Sequence, residues 1–450
     1  MNLDQIKIVF QKISKQAAQA QVEVELLIDS GEGLGLSAEN EKLAKFDQKT
    51  YQTAGFRVLF GGQQGYSSTE NLSEESLQRS FQEAVLNAKD LASANIESVV
   101  RWELPDGKSK ISNMDNLDLG EQGSIEQKIK MTLALESISK KQDTRVASIP
   151  YNSFSEYFGQ RVILNSKGLE RSFSERNFSC YTFPLVKQGE QTKMIGEDIV
   201  TRNFKDINID FIAKHSVEKS IALLGAEKLV SGRFPVVIGR EVAQQLFGLM
   251  KSAFSAKNIF DKKSPLADKM NQKIATDLLT INDDPFDMRG GGVRPFDAEG
   301  SPSQKVSLIE KGVLKNYLTN TEYAAKLKIP LTAHASRSAT SEMSIGATTF
   351  IFPVGKESLD DLLKKHPKVI HLVELSAFHS GFKSTTGDFS LPGQGFLYEN
   401  GKKIKPVDQF VMSGNIFEML NSIEAFSNQI GPEGHGVICA DVLIKELSFA

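Results

Sequence analysis

The chain has 450 residues, too many for one ordinary hydrophobic core, so two domains are expected. Its 40% hydrophobic and 24% charged fractions sit near globular averages and exclude a disordered or fibrous chain. With 53 basic and 56 acidic side chains intermixed to a net charge of -3, no basic stripe exists to neutralise a phosphate backbone, which argues against nucleic acid as a direct partner.

The opening segment, Met1 to Gln5, lacks the basic and apolar regions of a secretory signal, and no stretch approaches the ~18 apolar residues of a membrane span. A soluble cytoplasmic protein without membrane contact is expected. Leu3, Ile6, Val9, Phe10, Ile13 and Ala17 recur at helical spacing and predict an amphipathic first helix. Residues 22–29 and 55–60 read as strands, the second ending at Gly61-Gly62. Ser73 is an N-cap followed by Glu74 and Glu75, and it opens a helix carrying Leu77, Phe81, Ala84, Val85, Ala88 and Leu91. Ser124 and Gln127 form a capping box for a third helix, with Ile125, Ile129, Leu133 and Ile138 as its apolar residues.

Long extended segments follow, 151–164 and 169–185, joined at Ser166-Lys167-Gly168 as a hairpin. A helix over about 211–228 leads to Leu229-Val230-Ser231-Gly232-Arg233, taken as the domain boundary. Domains of 1–228 and 229–450 are therefore expected. Beyond the boundary, 234–238 reads as a strand and 241–254 as one helix. Asn282 to Pro285 and Gly290-Gly291-Gly292 read as loops, the second able to bind an anion with Arg289 and Arg294 but better taken as a mobile surface loop. Hairpins are expected around Lys311-Gly312 and Asn400-Gly401, a helix from Asn415, and a last strand at 442–449. The second half should be mainly antiparallel sheet.

Zinc hydrolysis needs about three protein ligands and a base for the attacking water. None of the histidines, at positions 215, 334, 366, 371, 379 and 435, sits in a His-Glu-x-x-His motif. His366 and His371 have a suggestive spacing, but Pro367 stands between them and ends a helix there, so a helix end followed by a strand is the expected form. Cys180 and Cys439 are read as small buried hydrophobes in a reducing compartment. The glycines at 31, 33 and 35 and at 61, 62 and 65 lack a following Lys-Ser/Thr, so both groups are taken as strand-end turns rather than phosphate loops.

The stretch from Phe378 carries the remaining polar chemistry. His379 can move a proton near neutral pH or simply be hydrogen-bonded. Thr385, Thr386, Asp388 and Ser390, around Gly387, can offer hydrogen bonds to an added peptide strand or satisfy their own backbone in a tight turn.

The run Ser384-Thr385-Thr386-Gly387-Asp388-Phe389-Ser390, with Gly393, Gly395 and Glu399-Asn400-Gly401, resembles the C-terminal signature of the TldD/PmbA family of peptidase-related proteins. Blocks at Gly55 to Leu59, Ser264 to Lys269, Ile281 to Pro285 and Val306 to Leu314 extend the resemblance over nearly the whole chain. It implies an α+β fold, with an N-terminal α/β domain and a β-rich, mainly antiparallel C-terminal domain. TldD-type members bind zinc through a His-Glu-x-x-x-His helix and a later cysteine; PmbA-type members, also called TldE, lack these ligands. Matching Val236 to Gly239 to the family strand puts Gly248, Leu249 and Ala253 at the motif positions and the cysteine position near Ser427 or Asn428. The chain thus resembles the PmbA/TldE subunit, with no metal or catalytic ligand of its own.

The resemblance further implies a TldD-type zinc-binding partner, or self-association, in a cytoplasmic peptidase that acts on unfolded peptides. The older family label, modulator of DNA gyrase, is then an indirect effect. Alternatives are an unconventional hydrolase using His379 with Asp388 or another nearby carboxylate, and a purely peptide-binding module.

Overall fold

The computed structural model describes residues 2–94, 102–111 and 119–450, so Met1 of the opening segment lies outside them. Helix α1 (Leu3–Gln19) buries the expected face apart from Leu3, which is exposed, and is closed by a reciprocal Asn2/Gln5 capping box. Strands β1 (Glu23–Glu39), β2 (Lys42–Phe60) and β3 (Gln63–Thr69) form an antiparallel meander, and α2 (Glu74–Ala94) returns across it. The capping box at Ser124 forms as its spacing predicts and starts α3 (Ile125–Lys141). Strands β4 (Val146–Asn165), β5 (Glu170–Gln188), β6 (Gln191–Met194) and β7 (Glu197–Thr201) complete the sheet, and α4 (Ile209–Ala222) packs on β5.

The strand order is β3-β2-β1-β4-β5-β6, with β7 also paired to β5, and every pairing is antiparallel. Side chains alternate across a strand. Val24, Leu26, Ile28, Phe56 and Val58 therefore pack against α1 and α2 on one face. Glu25, Asp29, Arg57 and Arg161 fall on the other.

That second face is the seam with the C-terminal half. Arg57 grips Glu25 through Nε and Nη2, and Arg337 of the C-terminal half donates to the same carboxylate at 2.6 Å. All three side chains are sealed from solvent. Contact is close elsewhere too: a Cβ on Gly55 would lie 1.8 Å from the Ala339 carbonyl oxygen.

In the C-terminal half, β8 (Glu227–Lys228) adds to the strand Lys402–Asn415, while β9 (Gly232–Ile238) lies between Ala440–Phe449 and Lys368–Leu375. The strands Asp388–Glu399 and Ile423–Ile430 complete a seven-stranded sheet. Asn400 and Gly401 both have positive φ, as the turn between paired strands demands. A smaller five-stranded sheet holds Ile281–Asp283, Val306–Glu310, Val313–Leu314, Phe350–Ile351 and Val437–Ile438. The largest core cluster fills this half. The fold is α+β. Among the described residues, no helix is long and apolar enough to cross a membrane.

Several local expectations are corrected. Gly31, Gly33 and Gly35 are not a strand-end turn but lie within β1, where Tyr51 and Lys49 side chains cover Gly31 and Gly33. The Asn282 region is a strand rather than a loop. The helix expected over 211–228 stops at Ala222, and Gly225 has a φ of +79°. Gly290 and Gly291 are packed rather than loose, Gly290 against Thr349 and Gly291 against Gly434, while Gly292 borders open space. Helix α3 buries a largely polar face, Lys128, Thr132, Glu136 and Ser139, beside Leu135. Tertiary partners make this possible: Lys128 pairs with Glu156, and Glu136 accepts the Asn40 and Glu41 backbone N–H groups.

Candidate functional site

Strand β9 runs into helix α5 (Arg240–Gly248) through Gly239, whose N–H donates to Leu372 O at 2.8 Å. A Cβ at Gly239 would approach that same oxygen to 2.9 Å, so glycine permits the strand and helix start to meet. No side chain of α5 caps its start. Asp441 does so from the last strand, accepting the Arg240 N–H at 2.9 Å, and Ser427 Oγ holds the other carboxylate oxygen at 2.7 Å.

One side of α5 faces a cleft against the first sheet and α4. A cavity of about 330 Å³ at the helix start includes Arg240, His371, Lys403 and Asp441 in its wall. A second, about 460 Å³, runs along the helix past Gln245, Gly248 and Lys251 to Glu197, Asp198, Glu374 and His435. Ile195, Glu241, Val242 and Val373 belong to both walls, so the two adjoin.

The cleft is rich in perturbed ionisable groups. Lys219 Nζ bridges Glu197 and Glu241 at 2.6 and 2.5 Å. Burial opposes the Lys219 charge, but the two carboxylates outweigh it and raise its pKa. Glu374 lacks such a contact; burial, then the Glu241 charge, push it up to about 7. Burial also raises Glu197 and Asp198, the latter 3.5 Å from His435 Nε2. His371 is driven down to about 4 by burial, with Lys403 and Arg240 adding to the effect against Asp441. At neutral pH the cleft thus presents a neutral imidazole and a carboxyl able to give or take a proton.

Glu374 was not singled out by sequence reasoning. The available signal was a carboxylate inside the otherwise apolar run at 372–375. Glu241, whose like charge helps raise it, comes from a distant segment and could not be assigned by spacing.

The helix expected over 241–254 is shorter. It ends at Gly248, and Leu249 and Met250 make tighter i to i−3 bonds before a 3-10 turn at Lys251–Phe254. Gly248 faces the cleft, and a Cβ there would meet only Val437 Cγ2, at 3.7 Å. Leu249 packs on the core, and Ala253 is 3% exposed. Ser427 is fully buried in the Asp441 cap. Both cysteines are buried; Cys180 is pushed up to about 12 by burial, and burial also raises Cys439 well above the ordinary thiol value. Among the described residues, no group of three or more His, Cys, Asp or Glu side chains is arranged to hold a metal ion.

The candidate peptide-contact residues lie elsewhere. His379, Thr385, Thr386, Asp388 and Ser390 are exposed, and none lines the cleft over α5. Thr386 Oγ1 donates to Asp388 at 2.7 Å, and Asn415 Nδ2 donates to Asp388 and to Thr386 O, both at 2.9 Å. These bonds hold the Asp388 pKa below the usual carboxylate range. His366 pairs with Glu424 at the surface, whereas His371 faces the cavity, so the pair forms no joint site.

Comparison with known proteins places this geometry in a family. Models of the PmbA/TldA metallopeptidase match as domain 1 at residues 24–88, central domain at 120–224 and C-terminal domain at 231–450. Metalloprotease PmbA of Escherichia coli O157:H7 is 22% identical, over 95% of this chain and 92% of its own. A Metalloprotease PmbA homolog of Buchnera aphidicola (subsp. Acyrthosiphon pisum, strain APS) is 27% identical over 76% of this chain and 75% of its own. The crystal structure of TldE from Thermococcus kodakarensis superposes with a TM-score of 0.82 at 19% identity, covering 98% of this chain and 100% of that one. A candidate modulator of DNA gyrase from Thermotoga maritima MSB8 superposes with a TM-score of 0.89 at 23% identity, over 99% and 100%. With consecutive domain models matched in order along most of its length, the chain belongs to the PmbA/TldA metallopeptidase family.

Proposed function

We propose that this chain is the PmbA/TldE-type subunit of a cytoplasmic peptidase, forming part of the peptide-binding cavity while a TldD-type partner supplies zinc. The observation that carries the reading is the chemistry of Gly248, Leu249 and Ala253, at the positions matched to the family's zinc motif. Hydrogen and hydrocarbon side chains have no lone pair, so these residues do not fit a zinc ion. Family membership supports an activity on peptides, in degradation or maturation. The cleft over α5 supports peptide contact, since Glu374 and the Glu197–Lys219–Glu241 group offer hydrogen bonds beside the emptied helix.

The test compares the purified chain alone with the same chain co-expressed with a TldD-type partner. Elemental analysis and cleavage of an unfolded peptide should give neither zinc nor turnover alone, and both in the complex. Stoichiometric zinc with robust turnover in the isolated chain would overturn the reading.

A further inference from the structure

A larger cavity, about 550 Å³, opens on the seam between the first sheet and the C-terminal half, apart from the α5 helix. Its volume is within the range of roughly 300–1,000 Å³ usual for small-ligand sites. Register builds its floor. Asp29 stands opposite Arg161 and is consumed by it, through bonds of 2.8 and 3.1 Å, while also accepting the Ala339 N–H. In the next cross-strand row Gly31 and Gly159 separate Tyr51 from Glu175 and present no side chain of their own. The Tyr51 and Tyr157 hydroxyls meet at 2.7 Å above those glycines, so an aromatic surface borders the space. The facing wall is formed by Gly290, Gly292, Val293 and Arg294.

Two charges in this wall and floor are unspent. Arg294 Nη2 donates to Ala333 O at 2.8 Å, but its Nε is buried without a partner and no described carboxylate pairs with it. The Glu175 carboxylate, on β5 opposite Gly159, makes no hydrogen bond or ion pair with any described residue. Burial pushes the Glu175 carboxyl up, against the Arg161 and Arg202 charges, and the Arg294 guanidinium down, against Asp297 and Asp283, so desolvation outweighs the surrounding charges at both. Arg161, already neutralised by Asp29, is electrostatically coupled to both.

We propose that this cavity binds a short peptide as a zwitterion, its terminal carboxylate on the Arg294 guanidinium and its terminal ammonium on Glu175. A free acid suits the planar arginine fork, and each ligand charge replaces water that burial has removed from its protein counterpart. Tyr51 and Tyr157 provide apolar contact for the side chains between the termini. The inference rests on this cavity alone and is independent of where zinc is bound.

Isothermal titration calorimetry on the intact chain, at neutral pH, compares trialanine with its N-acetyl and C-amide forms. Trialanine should bind, and either block should weaken it about tenfold or more, the worth of one charged hydrogen bond. Arg294→Gln should no longer distinguish acid from amide, and Glu175→Gln should no longer distinguish free from acetylated peptide. Absence of binding at millimolar trialanine, or equal affinity for the three ligands, overturns the proposal. The ligand series on the unaltered protein decides the matter even where a substituted chain fails to fold.

Discussion

Arg57 Nη1 donates to Glu299 Oε1 across the seam at 2.9 Å, joining β2 to the C-terminal half with both side chains fully buried. The same guanidinium holds Glu25, so one cation serves two carboxylates, and Arg337 supplies the second positive charge. Removing one member of a buried ion group strands the others, at a cost of about 3–5 kcal/mol. Arg57→Ala should lower the urea midpoint accordingly, and Arg57→Lys should recover only part of the loss because an ammonium cannot make the forked contact. A midpoint unchanged by Arg57→Ala would show that the group carries no net stability.

Gly55 offers a steric test of the same seam. Its added Cβ would collide with the Ala339 backbone, which cannot swing away as a flexible side-chain tip could. Gly55→Ala should destabilise by about 1–3 kcal/mol. Limited proteolysis should then cut the segment around Ala339 sooner than in the unaltered chain; identical stability and cleavage would contradict the close approach.

The cap on α5 comes from another strand, so its loss should be felt at the cleft. Asp441→Ala frees the Arg240 N–H and the Ser427 hydroxyl, costing about 1–3 kcal/mol. Asp441→Asn should restore much of this. Thermal unfolding of the two variants separates capping from mere packing.

The cleft also predicts opposed pH dependences. Glu374 has its pKa raised in the fold from 4.5 to about 7, so its favourable contribution is present below about 4.5 and lost as pH rises through 7. The loss is at most on the order of 3 kcal/mol. His371 is lowered from 6.5 to about 4, so its contribution is present above 6.5 and lost as pH falls through 4. Denaturation measured across this range should show the alkaline decline reduced in Glu374→Gln and the acid decline reduced in His371→Gln. Parallel curves for all three proteins would remove both assignments.

Histidines placed at Gly248 and Ala253 should have unequal effects. Gly248→His enters open cleft space and replaces a poor helix former, so it should change stability by no more than about 1 kcal/mol. Ala253→His puts a polar ring into a packed position and should cost about 2 kcal/mol or more. Equal unfolding temperatures for the two variants would refute this difference in surroundings.

Sequence legibility followed the range of the forces involved. The first helix was readable from its apolar spacing and the one capped by Ser124 from its capping box, because both signals are local, and the Asn400-Gly401 turn because positive φ is a local demand. The end of α5 at Gly248 was not, since the apolar spacing continues beyond the point where the backbone tightens into a 3-10 turn. Neither was the polar buried face of α3, whose partners Glu156, Asn40 and Glu41 lie on other elements. The α5 cleft followed the same division: its helix was located from sequence, but Glu374, Glu241, His371 and Asp441 were not gathered into one site.

The amino-acid order by itself determined the family resemblance, through which an α+β fold was expected, and the absence of donor atoms at Gly248, Leu249 and Ala253, because these depend on residue identity and near spacing. Only the tertiary structure decided which charges share a cavity, which glycines admit another backbone and which carboxylate is desolvated. Those properties arise when segments hundreds of positions apart exclude water together, as Arg57 and Glu299 do, and desolvation is set by the assembled surroundings rather than by chain neighbours.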